Sequence, residues 1–171
     1  TGYDTFGYVF FQTLVLDKSG NIILLTRAPD LRQAQNTSNI EDIRIWVDKD
    51  GSNPTDDLKN ILEELNLKGK KLGVEYEAYG LTGRNALRLN KSLENYCTIE
   101  DKSDLISKLR VVKSKEEIFY VKKAAELADK ALDEVWKYAK AGVSESKILA
   151  EMNRVIFEGG GDYPANEFII G

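Results

Sequence analysis

The residues of this sequence that could do chemistry are a lone cysteine, a glycine run, acidic pairs such as Asp56-Asp57, and two arginines one helical turn apart. Cys97 is the single thiol. A nucleophilic cysteine needs a neighbouring base or cation to lower its pKa, and the surrounding run Tyr96 to Ile99 supplies neither, so a buried structural thiol is expected. Gly159, Gly160 and Gly161, followed by Asp162, have the composition of a phosphate loop. Such loops follow a strand and open a helix, whereas these glycines close one, so a helix C-cap and flexible connection is expected. Asp56-Asp57, Glu63-Glu64 and Glu116-Glu117 fall at helix starts or on polar faces, where dipole complementarity or solvation accounts for them. Arg84 and Arg88 share one face of an expected helix and could hold a carboxylate, although a surface ion pair is the commoner fate of such residues. Histidine is absent, which removes Ser-His-Asp and Cys-His catalysis, the helical His-Glu-x-x-His zinc site and imidazole proton shuttling. No catalytic, cofactor-binding or metal-ligating residue is assigned on this basis.

Composition narrows the partners. The net charge is -4 with no basic tail, and Lys70-Lys71 and Lys122-Lys123 are too short to form a patch, so nucleic acid and anionic membrane are not expected partners. No apolar run approaches the roughly 20 residues of a membrane span. One cysteine makes no internal disulfide, which suits a reducing compartment and makes the cytoplasm the default location. With 42% hydrophobic and 30% charged residues, the chain has the material for a core, and its 171 residues suit one compact domain plus part of another.

The elements that must position these residues follow in chain order. Gly7 to Leu16 and Ile22 to Thr26 predict a hairpin across a glycine-containing loop, both strands apolar enough to be covered on both faces. Ala28 to Asn39 reads as loop or short helix, and Ile43 to Val47 as a third strand. Asn53 and Pro54 open a helix with Asp56 and Asp57 in its first turn and Leu58, Ile61, Leu62 and Leu65 on one face. Gly69 ends it, and Lys71 to Glu75 completes a strand, helix, strand unit of the parallel-sheet type. A helix over Leu81 to Leu93, a strand over Tyr96 to Ile99 and one or two helical turns over Ser103 to Leu109 complete an α/β layer domain ending near residue 110.

Leu109 onward predicts an extended approach, then a long helix from Ser114 to Ala141 that begins with a Ser114/Glu117 capping box and stops at Gly142. Ile118, Val121, Ala125, Ala128, Leu132, Val135 and Ala139 form its expected buried stripe. Ser144 caps a further helix with Ile148, Leu149, Met152, Val155 and Ile156 inward, Tyr163-Pro164 makes an extended turn, and Glu167 to Ile170 is a strand left without a partner. Thr1 to Asp4 reads as a loop entering a strand already in mid-fold, with no initiating methionine and no signal-peptide pattern, so an upstream piece is expected.

The run LRVVKSKEEIFYVKKAAELADKAL resembles the junction of the creatinase, prolidase and aminopeptidase P superfamily. There a phrase of the form R-x-x-K-S-x-x-E-I opens the first long helix of a pita-bread catalytic domain, and Arg110, Lys113, Ser114, Glu117 and Ile118 match it. Thr1-Gly2-Tyr3-Asp4 is similar to the family's TGY/F segment, and IFEGGGDYPANEFIIG resembles the segment before the catalytic strands, most closely in creatinase-like and ectoine-hydrolase-like members. The resemblance implies a creatinase N-terminal-like layered α/β domain with a mixed sheet over 1–110, incomplete at its start. It is followed over 111–171 by the first helices and strand of an incomplete pita-bread α+β domain. It further implies a hydrolase acting on a C–N bond of a small peptide or amino-acid derivative, as in Xaa-Pro dipeptidases and aminopeptidase P. A homodimer is also implied, with a dinuclear divalent metal (Mn, Co or Zn) in the parent, or none if creatinase-like. The family's metal ligands, two aspartates, a histidine and two glutamates, come from segments past the last residue here, so none is mapped onto this chain and it is expected to be inactive alone. A non-catalytic dimerisation or binding module is the other reading open at this point.

Overall fold

The computed structural model describes residues 1–5, 9–163 and 169. The chain divides into two compact units, Thr1–Leu109 and Arg110–Gly171.

In the first unit, β1 (Thr13–Leu16) and β2 (Ile22–Arg27) form the expected antiparallel hairpin, with Leu16 opposite Ile22. Its loop is held by Asp17, whose carboxylate accepts from the backbone amides of Ser19 (2.8 Å) and Asn21 (3.0 Å) and from the Asn21 side chain (2.7 Å). A 3-10 turn (Ala28–Asp30) and α1 (Leu31–Thr37) then cross over to β3 (Asp42–Trp46), which pairs parallel to β2 with Arg27 beside Trp46. Four consecutive buried residues, Ile23 to Thr26, show that β2 is covered on both faces. Leu24 points to Ala34 and Ile40, while Ile23 and Leu25 face Leu58, Ile61, Leu62, Leu89 and Leu93. These last five come from α2 (Pro54–Glu64), α3 (Gly83–Ser92) and the end of α3, which gives the expected helix, sheet, helix layering.

Three expectations for this unit need correction. The strand expected from Gly7 starts only at Thr13, residues 7 and 8 lying outside the described set. Strand β1 is covered on one face only, with Val15 buried while Leu14 and Leu16 stay exposed, because Val15 joins the cluster of Ile23, Leu25 and Leu58 whereas the cluster around Ala34 of α1 on the other face reaches Leu24 and Ile43 but no residue of β1. The parallel unit expected to run from β3 through α2 to the next strand is also replaced. That strand, β4 (Lys71–Val74), pairs instead with β5 (Thr98–Asp101) through α3, in a separate two-stranded sheet. A right-handed crossover needs only a strand, a helix and a parallel partner, and the sequence holds two such triples in succession.

Helix α2 ends in a Schellman motif. Asn66 takes the left-handed conformation (φ 56°), its amide donating to the Glu63 carbonyl and the Leu67 amide to that of Leu62. Helix α4 (Leu105–Val111) occupies the stretch expected to be extended, and only Val112 to Ser114 separate it from the next helix.

In the second unit, α5 (Lys115–Tyr138) begins at the expected capping box, both halves of which are present: Glu117 N donates to Ser114 Oγ (3.1 Å) and Ser114 N to Glu117 Oε2 (2.7 Å). Helix α5 stops three residues before Ala141, and Gly142 (φ 86°) turns the loop that follows. In α6 (Glu145–Glu158), Ser144 holds the N-cap position without a side-chain bond, and the expected inward residues are buried or half-buried. The stripe expected to bury α5 is instead its open side: Ile118, Val121 and Leu132 are about half exposed (42%, 55% and 52%). Contact with α6 is made by Leu127, the buried Ala131, Glu134 and Tyr138. Arg154 of α6 bonds Glu151 (2.8 Å) and Glu158 (2.6 Å) and reaches Glu134 of α5 at 3.7 Å. The strand expected over Glu167 to Ile170 and the turn at Pro164 lie outside the described residues.

Candidate functional site

Residues singled out in the sequence separate into structural and available groups. Cys97 is half-buried, and burial pushes its thiol up, away from the thiolate a nucleophile requires. The glycine run is a Schellman cap. Gly160 (φ 79°) supplies the left-handed residue, with the Gly160 amide bonded to the Phe157 carbonyl and the Gly161 amide to that of Ile156. A methyl group on Gly159 would sit 2.2 Å from Leu127 Cδ2, so this glycine permits the end of α6 to close on α5. Among the acidic pairs, Asp56 accepts from Ser92 Oγ (2.8 Å), and Ser92 shares a 2.7 Å bond with the fully buried Thr55, so this set joins the start of α2 to the end of α3. Glu64 pairs with Arg44 (3.2 Å), and Glu117 serves the capping box.

Arg88 is different. The β2/β3 pair is parallel, and in open α/β sheets the crevice outside the carboxyl ends of the strands is where ligands bind. There the segment Val9 to Phe11, the end of β3 at Trp46, the loop Asp48 to Ser52 and α3 surround a cleft of about 380 Å³. Trp46 and Phe11 form its floor; both are buried, and the indole Nε1 donates to the Phe11 carbonyl (2.9 Å). Arg88 and Asn85, on one face of α3, form a wall. Arg84, the other candidate, is exposed and does not line the cleft.

Beside the cleft, Arg27 at the end of β2 is held by Asp30 (3.2 Å) and lies over the Phe10 ring at 4.3 Å. A larger hollow of about 620 Å³, at the C-terminal ends of α2 and α3, is lined by Lys59, Glu63, Lys68, Glu94 and Tyr96 among others. Its charges alternate in sign, and the Tyr96 hydroxyl is buried with no partner among the described residues. Neither hollow contains a nucleophile with a base beside it. No group of three or more His, Cys, Asp or Glu is gathered among the described residues, so they do not fit a dinuclear divalent metal. No helix of the described residues is long and apolar enough to cross a membrane.

Comparison with known proteins gives the following likenesses. Residues 1–112 match the creatinase/prolidase N-terminal domain model. An uncharacterized hydrolase/peptidase of Sinorhizobium fredii is 25% identical over 95% of this chain and 43% of its own length. The ectoine hydrolase of Halomonas elongata is 25% identical over 96% of this chain and 45% of its own. The chain thus spans less than half the length of these curated relatives. Among solved structures, the prolidase of Thermococcus sibiricus superposes with a TM-score of 0.70 at 22% identity, over 94% of this chain and 42% of that one. The X-Pro aminopeptidase of Thermotoga maritima gives 0.67 at 21%, over 87% and 40%. At these identities the structural likeness is one of fold.

Proposed function

The chain belongs to the creatinase/prolidase N-terminal domain family, and on that premise we propose that it is the leading, non-catalytic portion of a hydrolase that cleaves a C–N bond in a small peptide or amino-acid derivative. The family match over 1–112 carries this reading, and the hydrolase and peptidase names of the relatives support it. In this reading residues 1–110 are the N-terminal domain, and 111–171 begin the pita-bread catalytic domain. The reacting groups, including any dinuclear Mn, Co or Zn centre, belong to the parent outside these residues. A chain without histidine has no imidazole base of its own.

The purified 171-residue chain is expected to leave Xaa-Pro dipeptides intact with or without added divalent metal. Robust metal-dependent release of the N-terminal residue would overturn the assignment. Reading the coding sequence beyond Gly171 separates the branches. Spaced Asp, Asp, His, Glu and Glu identify a metallopeptidase, and replaced ligand positions identify a creatinase-like hydrolase. An immediate stop favours a natural truncation or the second reading, a binding or dimerisation module, which the open cleft at Arg88 supports.

The same proposal includes a homodimer in the cytoplasm. The exposed apolar side of α5, with Ile118, Val121, Leu132 and Trp136, supports self-association, and a solution mass of twice 19.2 kDa is the expected result. A monomer at high concentration would remove the dimer from the proposal.

A further inference from the structure

We propose that α5 pairs with the α5 of a second copy running antiparallel, along a heptad seam that α6 leaves open, with Lys122 of each copy meeting Asp129 of the other. The pairing rests on the homodimer proposed above and gives it a geometry.

Ile118, Val121, Ala125, Ala128, Leu132 and Val135 recur in strictly alternating steps of three and four, which is the heptad pattern of a helix seam that packs on one other helix. Contact with α6 falls elsewhere on α5, at Leu127, Ala131, Glu134 and Tyr138. The seam is therefore open. Ile118, Val121 and Leu132 are about half exposed, Ala125 and Ala128 are exposed, and Val135 is half-buried. Apolar surface of this kind is driven to leave water, and a heptad seam is complementary to another copy of itself.

Charge sets the direction. Lys122 and Asp129 lie one heptad apart on the same flank of the seam. Both are exposed, and neither forms an ion pair among the described residues, where the α5 pairs are those of Lys123 with Glu126 and of Glu134 with Lys137 and Arg154. In an antiparallel pair each flank lies against the same flank of its partner, so Lys122 meets the partner's Asp129 and Asp129 meets the partner's Lys122. A parallel pair would set the charged flank against the opposite one. There Lys122 would reach a Glu117 whose carboxylate already serves the capping box, and Asp129 would face Ala124.

The antiparallel register also matches the apolar layers. It sets Ile118 against the partner's Val135, Val121 against the partner's Leu132 and Ala125 against the partner's Ala128. Alanine on both sides of the middle lets the helix axes close to about 8 Å. Trp136, 75% exposed and one heptad beyond Asp129, comes beside the partner's Lys115, which suits a cation over an indole. Because the chain spans less than half the length of its curated relatives, a segment of a longer parent is the rival occupant of the seam. That rival gives no reason for Lys122 and Asp129 to depend on each other.

Sedimentation of the full 171-residue chain is expected to show a concentration-dependent dimer. Lys122→Asp and Asp129→Lys, each alone, set like charges against each other twice per dimer and should weaken it about tenfold. Mixing the two variants, or combining both substitutions in one chain, should restore the dimer. These positions are exposed on α5, and an unchanged circular dichroism spectrum verifies each fold. Direction is read in chains carrying Cys97→Ser: Ala125→Cys mixed with Ala128→Cys should give the mixed disulfide in a glutathione buffer, whereas a parallel pair would join like with like. A chain that stays monomeric removes the homodimer and the pairing together, and leaves the seam to a longer parent. A dimer indifferent to both charge reversals, or like-with-like disulfides, overturns the pairing and leaves the homodimer standing. The charge reversals keep the native cysteine, so they decide the matter even where Cys97→Ser fails to fold.

Discussion

The indole nitrogen of Trp46 donates to the backbone carbonyl of Phe11 across 2.9 Å, joining residues 35 positions apart. The bond is buried, and it fastens the segment before β1 to the carboxyl end of β3, so one contact makes both the floor of the cleft and the seam of the core. Replacing Trp46 with Phe keeps most of the ring but orphans the Phe11 carbonyl. The expected loss is about 1 to 3 kcal/mol for the first unit, seen as a lower urea midpoint with an unchanged slope. An unchanged midpoint would show that water satisfies that carbonyl.

At the start of α5, Ser114→Ala removes the acceptor for the Glu117 amide and breaks the reciprocal box. A cost of about 1 kcal/mol to the helix start is expected, read as faster hydrogen exchange at Lys115 to Ile118 with little change beyond the second turn. Ser114→Asp, which restores an acceptor and adds negative charge at the positive end of the dipole, should recover the protection. Equal exchange in all three proteins would mean that the box does not hold this helix end.

The hairpin loop should weaken in acid. Hydrogen bonds from the Asn21 side chain and from the Asn21, Ser19 and Gly20 backbone hold the Asp17 carboxyl below its ordinary value near 3.8. A depressed folded pKa means the ionised form is favoured by folding, so its contribution is complete above the ordinary value and fades as pH falls through the lower folded one. Exchange protection in Leu16 to Ile22 is expected to drop over that interval, and Asp17→Asn should flatten the profile. A loop whose protection ignores pH in the unaltered protein would contradict the assignment.

Cys97 should be a slow thiol. Burial raises its pKa, so at neutral pH less of it is thiolate than in free cysteine, and its half-buried position hinders approach. Iodoacetamide is expected to label it several-fold more slowly than free cysteine at pH 7.5, with the gap closing on unfolding in urea. Labelling as fast as free cysteine would point to an activating neighbour.

Local chemistry is legible in the sequence alone. The Ser114/Glu117 box, the proline start of α2 and the glycine close of α6 each depend on residues within one turn of one another, and each is found where the pattern places it. The family is legible for the same reason, from the phrase Arg110 to Ile118 together with Thr1 to Asp4, and the family model matches residues 1–112. Pairing was less legible. The choice of β5 over β3 as the partner of β4 depends on which of two helices crosses over between them, a competition between segments tens of residues apart.

Periodicity along α5 correctly marks an apolar side through Ile118, Val121 and Leu132, yet the side that meets α6 is the one carrying Leu127, Ala131 and Tyr138. A 3.6-residue repeat identifies apolar faces, and only the approach of another helix decides which of two is covered. The candidate site divides in the same way. The sequence by itself determined that Arg84 and Arg88 share a helical face and that no histidine chemistry is possible here. Tertiary structure alone decided that Arg88, and not Arg84, lines the cleft with Phe11, Trp46, Asp48 and Asp50. Those aromatic residues lie 42 or more positions away in the chain, and only the folding of the parallel β2/β3 pair against α3 brings them together.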